Sequence, residues 1–368
     1  MSVGSNGKIF ITVCCACMFL SITDRVYAQI DSTRKARLII PFPIIVRSIE
    51  TGWAFGGVVT STFNLRSPKD SFTRTSNLQV LAIYSVEHQF VAAINGTIFF
   101  PKEKYILNQQ FSYSYYPDNF WGLGKNTPNS NEEPYDYKQF YIYLHPQRHL
   151  GRSYFLGLLY ELQNVWDVNY VPGGLFDKES IAGRYGYLVS GLGLSITYDT
   201  RNNAFSPDRG SMLQFYFNHF DPIFGSDYRY TNYVLDLRKF FGFHNGRVLA
   251  LQGYGYFNTG TIPFRSLAAF GGANHMRGYY QGRFRDNSQA LLQAEYRIPI
   301  IWRFGLVGFG GLGNVATDLG HFDLTYIKYS FGAGVRFALN RSEKLNLRLD
   351  YGIGQGCSGF YFQLGEAF

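Results

Sequence analysis

Ile327-Lys328-Tyr329-Ser330-Phe331-Gly332-Ala333-Gly334-Val335-Arg336-Phe337-Ala338-Leu339 reads apolar and polar by turns along its whole length. Because successive strand residues point to opposite faces, one face carries Ile327, Tyr329, Phe331, Ala333, Val335, Phe337 and Leu339. The other carries Lys328, Ser330, Gly332, Gly334, Arg336 and Ala338. The same period of two recurs in Leu345 to Ile353, Leu192 to Tyr198, Leu213 to Phe217, Leu292 to Ile298 and Phe111 to Tyr115. Segments of about ten alternating residues, separated by turn formers, are the mark of a transmembrane barrel. A water-soluble sandwich shares the period but turns its apolar face inward, and alternation alone does not separate the two. Aromatic segment ends and a final segment that reads as a strand favour the barrel.

Working outward from that segment, strands are expected near 358–368, 343–354, 326–339, 302–312, 289–299, 247–257, 229–240, 211–220 and 187–200. Upstream they are expected near 153–165, 137–147, 105–116, 89–100, 76–86, 50–64 and 38–47, the last interrupted by Pro41 and Pro43, which suit only an edge or bulge. The reading is therefore all-β, a transmembrane antiparallel β-barrel of about sixteen strands, an even number as single-chain barrels require. Long connections at 117–136, 166–186, 221–228 and 259–288 fall on one side, and short turns such as 101–104, 148–152 and 241–246 on the other. The long 65–75 segment breaks that rule and puts the first hairpin in question.

Composition agrees. Only 16% of the residues are charged, there are 40 Gly, and Tyr and Phe number 29 and 34, as expected where rings sit at a membrane boundary. The net charge of +8 comes from scattered Lys and Arg with no run of them, so nucleic acid is not an expected partner. At the amino terminus Lys8, the apolar run Ile9 to Ile22 and Val26-Tyr27-Ala28 have the layout of a secretory signal peptide, with cleavage expected after Ala28. Cys14, Cys15 and Cys17 lie inside it, without a lipobox before them, and leave Cys357 alone, so neither an intrachain disulfide nor a Cys-based metal site is expected. After it no run approaches the roughly 18–20 apolar residues of a spanning helix. The expected layout is residues 1–28 as signal peptide, 29–37 as a short periplasmic segment without room for a domain, and 38–368 as the barrel.

Three stretches resemble the Omp85 superfamily, the bacterial surface antigen barrels that include outer-membrane assembly factors and two-partner secretion pores. Tyr198-Asp199-Thr200-Arg201-Asn202-Asn203, with Pro207 and Gly210, is similar to the family's strand–turn–strand motif; by their own chemistry these are turn formers, with Asp199 and Arg201 placed to tie the turn's ends. Phe270-Gly271-Gly272 followed by Arg277-Gly278-Tyr279 resembles the motif of the long loop before the twelfth strand. The resemblance implies a loop folded into the lumen whose arginine meets an inner-wall carboxylate. The terminal segment, with Phe360, Phe362, Leu364 and Phe368 on one face, resembles the β-signal read by barrel-assembly machinery, and Glu366 interrupts it at a depth where a charge costs roughly 0–1 kcal/mol. Two departures stand out. Gly311 occupies the place of the family's inner-wall Asp, which makes Glu295 or Asp350, both on polar faces, the candidate partners of Arg277. The family's POTRA repeats, which receive client chains, are not found.

The resemblance implies an outer-membrane barrel of a Gram-negative cell that inserts or translocates proteins, possibly lipids. Its expected partners are outer-membrane lipid, client outer-membrane proteins or a separate periplasmic POTRA-type partner, and the barrel itself is expected to be monomeric. The alternative is a diffusion pore or structural barrel lined by Arg297, Lys328, Arg336 and Arg348 with Glu295 and Asp350. An enzyme is not expected, since the seven His lie mostly in turns and loops and show no Ser- or Cys-linked motif. No cofactor is expected, and no His/Asp/Glu cluster has metal-ligand spacing.

Overall fold

The computed structural model describes residues 38–65, 70, 73–179, 181–203, 205–341 and 344–368. The expected signal peptide and the 29–37 segment lie outside the described residues. In chain order the strands are β1 (Leu38–Ser48), β2 (Gly52–Phe63), β3 (Ser76–Ser85), β4 (Phe90–Phe99), β5 (Tyr105–Phe120), β6 (Glu133–Gly151), β7 (Tyr154–Tyr170), β8 (Tyr187–Asp199) and β9 (Gly210–Phe220). They continue with β10 (Tyr230–Gly242), β11 (Val248–Gly260), β12 (Ala268–Phe270), β13 (Phe284–Asp286), β14 (Ser288–Ile301), β15 (Phe304–Ala316), β16 (Lys328–Asn340), β17 (Leu345–Gly354) and β18 (Cys357–Leu364). Sixteen of them close an antiparallel barrel in chain order, with β11 followed by β14 and β18 returning to β1, while β12 and β13 form a separate two-stranded ribbon.

The burial pattern decides between barrel and sandwich. On β16, Tyr329, Phe331, Val335 and Leu339 are exposed, whereas Ser330 and Arg336 are buried. On β17, Leu349 and Tyr351 face out, and Arg348 and Asp350 face in. The inside is polar and the outside apolar, the reverse of a soluble fold and the arrangement that lipid requires.

The expected strands are all present, but several differ in extent. β5, β6 and β7 run further than the alternation indicated, because their upper ends carry Asp118, Asp136 and Asp167 beyond the apolar band. The first hairpin is where it was expected: β1 and β2 pair from Leu38 opposite Thr62 to Ser48 opposite Gly52. Ahead of β3, at the short-turn end, Arg74 grips the Glu103 carboxylate with Nε at 2.8 Å and Nη2 at 2.9 Å. β18 stops at Leu364 rather than 368, since Gly365 takes φ +88° and turns the chain away.

Candidate functional site: the lumenal loop and the seam

The connection between β11 and β14 folds into the barrel. The β12–β13 ribbon starts and ends the excursion, and Gly271 and Gly272, both at φ +106°, turn it. At its tip Arg277 is 2% exposed. Its guanidinium fork reaches two walls at once, with Nη1 2.6 Å from the Asp350 carboxylate on β17 and Nη2 2.5 Å from the Glu295 carboxylate on β14. The plane of the fork lies over the Phe309 ring, 3.6 Å from its centroid. Both carboxylates that parity placed on the inner wall therefore meet Arg277. Where the absent Asp would sit, a Cβ on Gly311 would lie 2.9 Å from the Met276 sulfur, so the loop itself fills that place.

The backbone beside Arg277 lies as close to the wall as backbone can. Gly278 has φ +112°, and a Cβ there would stand 2.7 Å from Gly354 N; a Cβ on Gly352 would stand 2.6 Å from Arg277 C. A Cβ on Gly354 would meet the Tyr279 ring at 2.7 Å. The glycines of β17 thus form a groove for the loop. Tyr279 donates its hydroxyl to Tyr329 O at 3.0 Å and accepts from Gln355 N at 2.9 Å.

Two contacts join the loop to the strands on either side of the barrel's closure. The Tyr361 hydroxyl on β18 accepts from Gly278 N at 2.9 Å and donates to Tyr279 O at 3.2 Å. The Glu50 carboxylate, in the turn between β1 and β2, accepts from Gln281 N at 2.6 Å, and burial raises its carboxyl above the ordinary range. A second clamp holds the loop near its exit. Asp118 on β5 accepts from Tyr280 Oη at 2.8 Å, Tyr135 Oη at 2.7 Å and Arg285 Nη2 at 2.9 Å. Arg283 adds bonds to Thr127 and Asn129 in the connection above β5. Beside this clamp, on the long-loop side, lies a cavity of about 800 Å³ lined by Glu50, Glu87, Asp118, Glu132 and Asp136 among others.

The seam is the exception among the strand pairs. β1 meets β18 through one registered pair, Arg47 opposite Phe362, while β17 pairs with β18 from Leu347 opposite Leu364 to Gly354 opposite Cys357. Below the seam the terminal residues depart from expectation. Phe360 and Leu364 face outward, but Phe368 does not share their face: it is 5% exposed and packs in the lumen with Phe240, Ala250 and Ala367. Its carbonyl oxygen accepts from Arg297 Nη2 at 3.0 Å. Glu366 faces the lumen as well, bonded to Arg336 Nε and Asn346 Nδ2, each at 2.7 Å. The cause is the left-handed turn at Gly365, which ends the parity that would have placed both residues outside. Arg336 also bonds Asp350, and Arg297 bonds Glu295 at 2.8 Å. One buried ionic cluster thus runs from the loop tip to the tail.

The family model for the Omp85 superfamily domain matches residues 98–368. The chain belongs to the Omp85 superfamily. Among solved structures, it is similar to BamA from Haemophilus ducreyi lacking POTRA domains 1–3, at 14% identity and a TM-score of 0.60, covering 90% of this chain and 70% of that one. CdiB from Acinetobacter baumannii gives 14% identity and a TM-score of 0.59 over 90% of this chain and 60% of that one. CdiB from Escherichia coli gives 11% and 0.56 over 87% and 61%. At these identities the likeness is one of fold, and the Omp85 chain spans about three fifths of each CdiB. No curated protein sequence matches the chain.

The other motif of this Omp85 barrel lies at the short-turn end. Arg201 grips Asp199 with Nε and Nη2, each at 2.9 Å, Pro207 is buried, and Gly210 at φ +103° closes the turn against Thr200 O. This is local turn chemistry, and the structure does not bring it to the Arg277 cluster by any hydrogen bond or ion pair among the described residues.

One pairing escaped sequence reasoning. His145 Nε2 on β6 lies 2.7 Å from Ser195 Oγ on β8, across Gly157 of β7, whose missing side chain lets them meet. Both residues are at most 3% exposed, and a tyrosine hydroxyl, from Tyr143 at 3.2 Å, stands at Nδ1 where a nucleophile's base would have a carboxylate. The hydrogen bond ties β6 to β8 across β7.

Proposed function

We propose that this Omp85 barrel lies in the outer membrane of a Gram-negative cell and inserts or translocates proteins there, using the β1–β18 seam as the place where a client strand enters. The observation that carries the proposal is the single registered pair at that seam, in a barrel whose other neighbours are paired along their lengths. In hydrocarbon each unsatisfied backbone group costs several kcal/mol, so a client strand that supplies partners to the edge of β1 is bound by the same hydrogen bonds that close a sheet. Pro41 and Pro43 lower the number of donors β1 offers and ease the open edge. A lumen filled by Phe264, Phe270, Met276 and Tyr279, all buried, supports this reading over a passive diffusion pore. Client outer-membrane proteins, the surrounding lipid and a periplasmic partner bearing POTRA repeats are the proposed company of a monomeric barrel.

The test uses Arg47→Cys with Phe362→Cys in a Cys357→Ala background, reconstituted into vesicles and offered an unfolded client barrel. Oxidation should join the seam and stop client insertion, and a reductant should restore it. Insertion at an unchanged rate through an oxidised seam would refute the proposal.

A further inference from the structure

The two rims of the barrel handle charge differently. On the long-loop rim Lys125, Lys138, Arg184 and Arg229 each have a carboxylate, from Asp323, Asp167, Asp177 and Asp221. There Arg47 lies over the Trp53 and Phe360 rings, and Lys178 is exposed with no described carboxylate in ion-pair contact. On the short-turn rim the described carboxylates are already engaged: Glu103 by Arg74, Asp199 by Arg201, Asp208 by Lys344, and Asp70 by Thr73. This leaves Lys102, Lys104, Arg148, Arg152, Lys239 and Arg247 exposed, with no carboxylate of the described residues in ion-pair contact.

Their placement names the partner. Arg148 stands on the outer face of β6, opposite Tyr105 of β5 and Leu156 of β7, both exposed on the lipid-facing side. Lys239 stands opposite Leu251 on the outer face of β10, with its ammonium 5.5 Å from the Phe241 ring. Lys104 lies 5.7 Å from the Tyr105 ring. Arg148, Lys239 and Lys104 thus stand beside apolar or aromatic outer surface near the turns, the geometry of a side chain reaching from hydrocarbon to phosphate. The cations are spread over the β4–β5, β6–β7 and β10–β11 hairpins rather than gathered in one patch, which suits a leaflet and not a single protein surface.

We infer that the short-turn rim binds the anionic headgroups of the leaflet it touches, glycerophosphate lipids with a net negative charge. The inference rests on the bilayer-spanning reading of the barrel. A basic side chain at an anionic surface is worth about a fivefold preference, so several together should enrich such lipids strongly, and raised salt should weaken the effect.

The full chain, reconstituted with equal phosphatidylglycerol and phosphatidylcholine, is extracted and its retained lipid counted by native mass spectrometry. The wild type should retain phosphatidylglycerol in excess. A variant with Lys102→Gln, Lys104→Gln, Lys239→Gln and Arg247→Gln should lose at least tenfold of that preference while keeping its strand circular dichroism. A Lys125→Gln, Arg229→Gln variant should keep it. Equal retention of the two lipids by the wild type, or a preference that survives the four substitutions, would overturn the inference and leave an acidic protein as the partner of this rim. A chain that enters neither lipid would overturn the bilayer-spanning reading along with it, whereas entry without preference overturns this inference alone.

Discussion

Substitution at Arg277 and at Asp350 should have different consequences, although the two side chains share a hydrogen bond. The buried cluster holds four guanidinium groups, Arg277, Arg297, Arg336 and Arg348, and three carboxylates, Glu295, Asp350 and Glu366. Asp350→Asn takes away one of three negative charges and raises the excess of positive charge from one to two. Breaking a buried pair from one side costs about 3–5 kcal/mol, and here the loss falls on the barrel wall. Arg277→Met removes the excess instead, and leaves Glu295 with Arg297 and Asp350 with Arg336. The wall should then lose little. The loop, however, loses two charge-assisted hydrogen bonds, worth about 1.5–3 kcal/mol each, and the ring contact with Phe309. With a loss of about 3 kcal/mol the undocked population rises on the order of a hundredfold. Two measurements on detergent-held protein separate these effects: the denaturant midpoint for the barrel, and the rate of limited proteolysis within 261–287, which follows the open population when reclosing is fast. Arg277→Met should accelerate cleavage by about two orders of magnitude with a midpoint near wild type, and Asp350→Asn should lower the midpoint. Equal midpoint losses, or cleavage that Arg277→Met leaves unchanged, would refute the charge accounting; in the latter case the Asp118 clamp and the Tyr361 and Glu50 contacts would be holding the loop without Arg277.

Gly278→Ala should also free the loop, because φ +112° and backbone atoms at 2.7 Å leave no place for a Cβ; a loss of at least about 2 kcal/mol is expected, whereas Gly308→Ala, with open space around it, should be silent in the same proteolysis assay. Glu50 has its carboxyl raised by burial, so it favours the folded state most fully below its unfolded value and loses that contribution as pH rises through the raised one; Glu50→Gln should flatten the fall in denaturant midpoint that sets in as pH rises above the ordinary carboxylate range. Glu366→Gln removes the charge that Arg336 and Arg297 share, and should speed maleimide labelling of an Ala367→Cys probe in a Cys357→Ala background, which is slow while Ala367 is buried. Tyr361→Phe deletes the hydroxyl between the loop and β18 and should slow oxidative joining of the Arg47→Cys, Phe362→Cys pair if the loop helps to hold the seam shut.

The barrel was legible because lipid imposes a two-residue period that no loop or helix imitates, and the same parity put Glu295 and Asp350 on the inner wall. What parity could not supply was the point where it ends. Carrying it past Gly365 placed Phe368 outside and made Glu366 an interfacial charge, while the left-handed turn sends both into the lumen. The glycines of β17 raised a different difficulty. Nothing in the strand itself accounts for Gly352 and Gly354: their reason lies in another segment of the chain, the backbone of 277–279 and the Tyr279 ring pressed against them. Asp118 and Glu50 gave no signal, since a carboxylate at a strand end or in a turn is common. Ser195 and His145 are fifty residues apart, and only the strand order across Gly157 brings them together.

These contacts bear on why a loop motif and a weak seam occur in one molecule. A barrel closed by a single registered pair would be held mainly by its outer contacts with lipid, unless something inside spans the closure. The loop does so: it bonds Tyr361 on β18 and Glu50 in the turn that follows β1, and its Arg277 shares Asp350 and Glu295 with the arginines that hold the tail beyond β18. Opening the seam by separating β1 from β18 therefore strains hydrogen bonds on both sides of the loop, and undocking the loop removes an internal brace from both strands. The loop tip and the tail are linked in turn through a charge cluster whose members are almost wholly desolvated, where partial loss is costly and complete rearrangement less so. Such a cluster favours two states, docked and closed or undocked and open, over intermediate ones. On this reasoning a seam with one registered strand pair can stay shut because its stability is drawn from the lumen rather than from the strand pair itself.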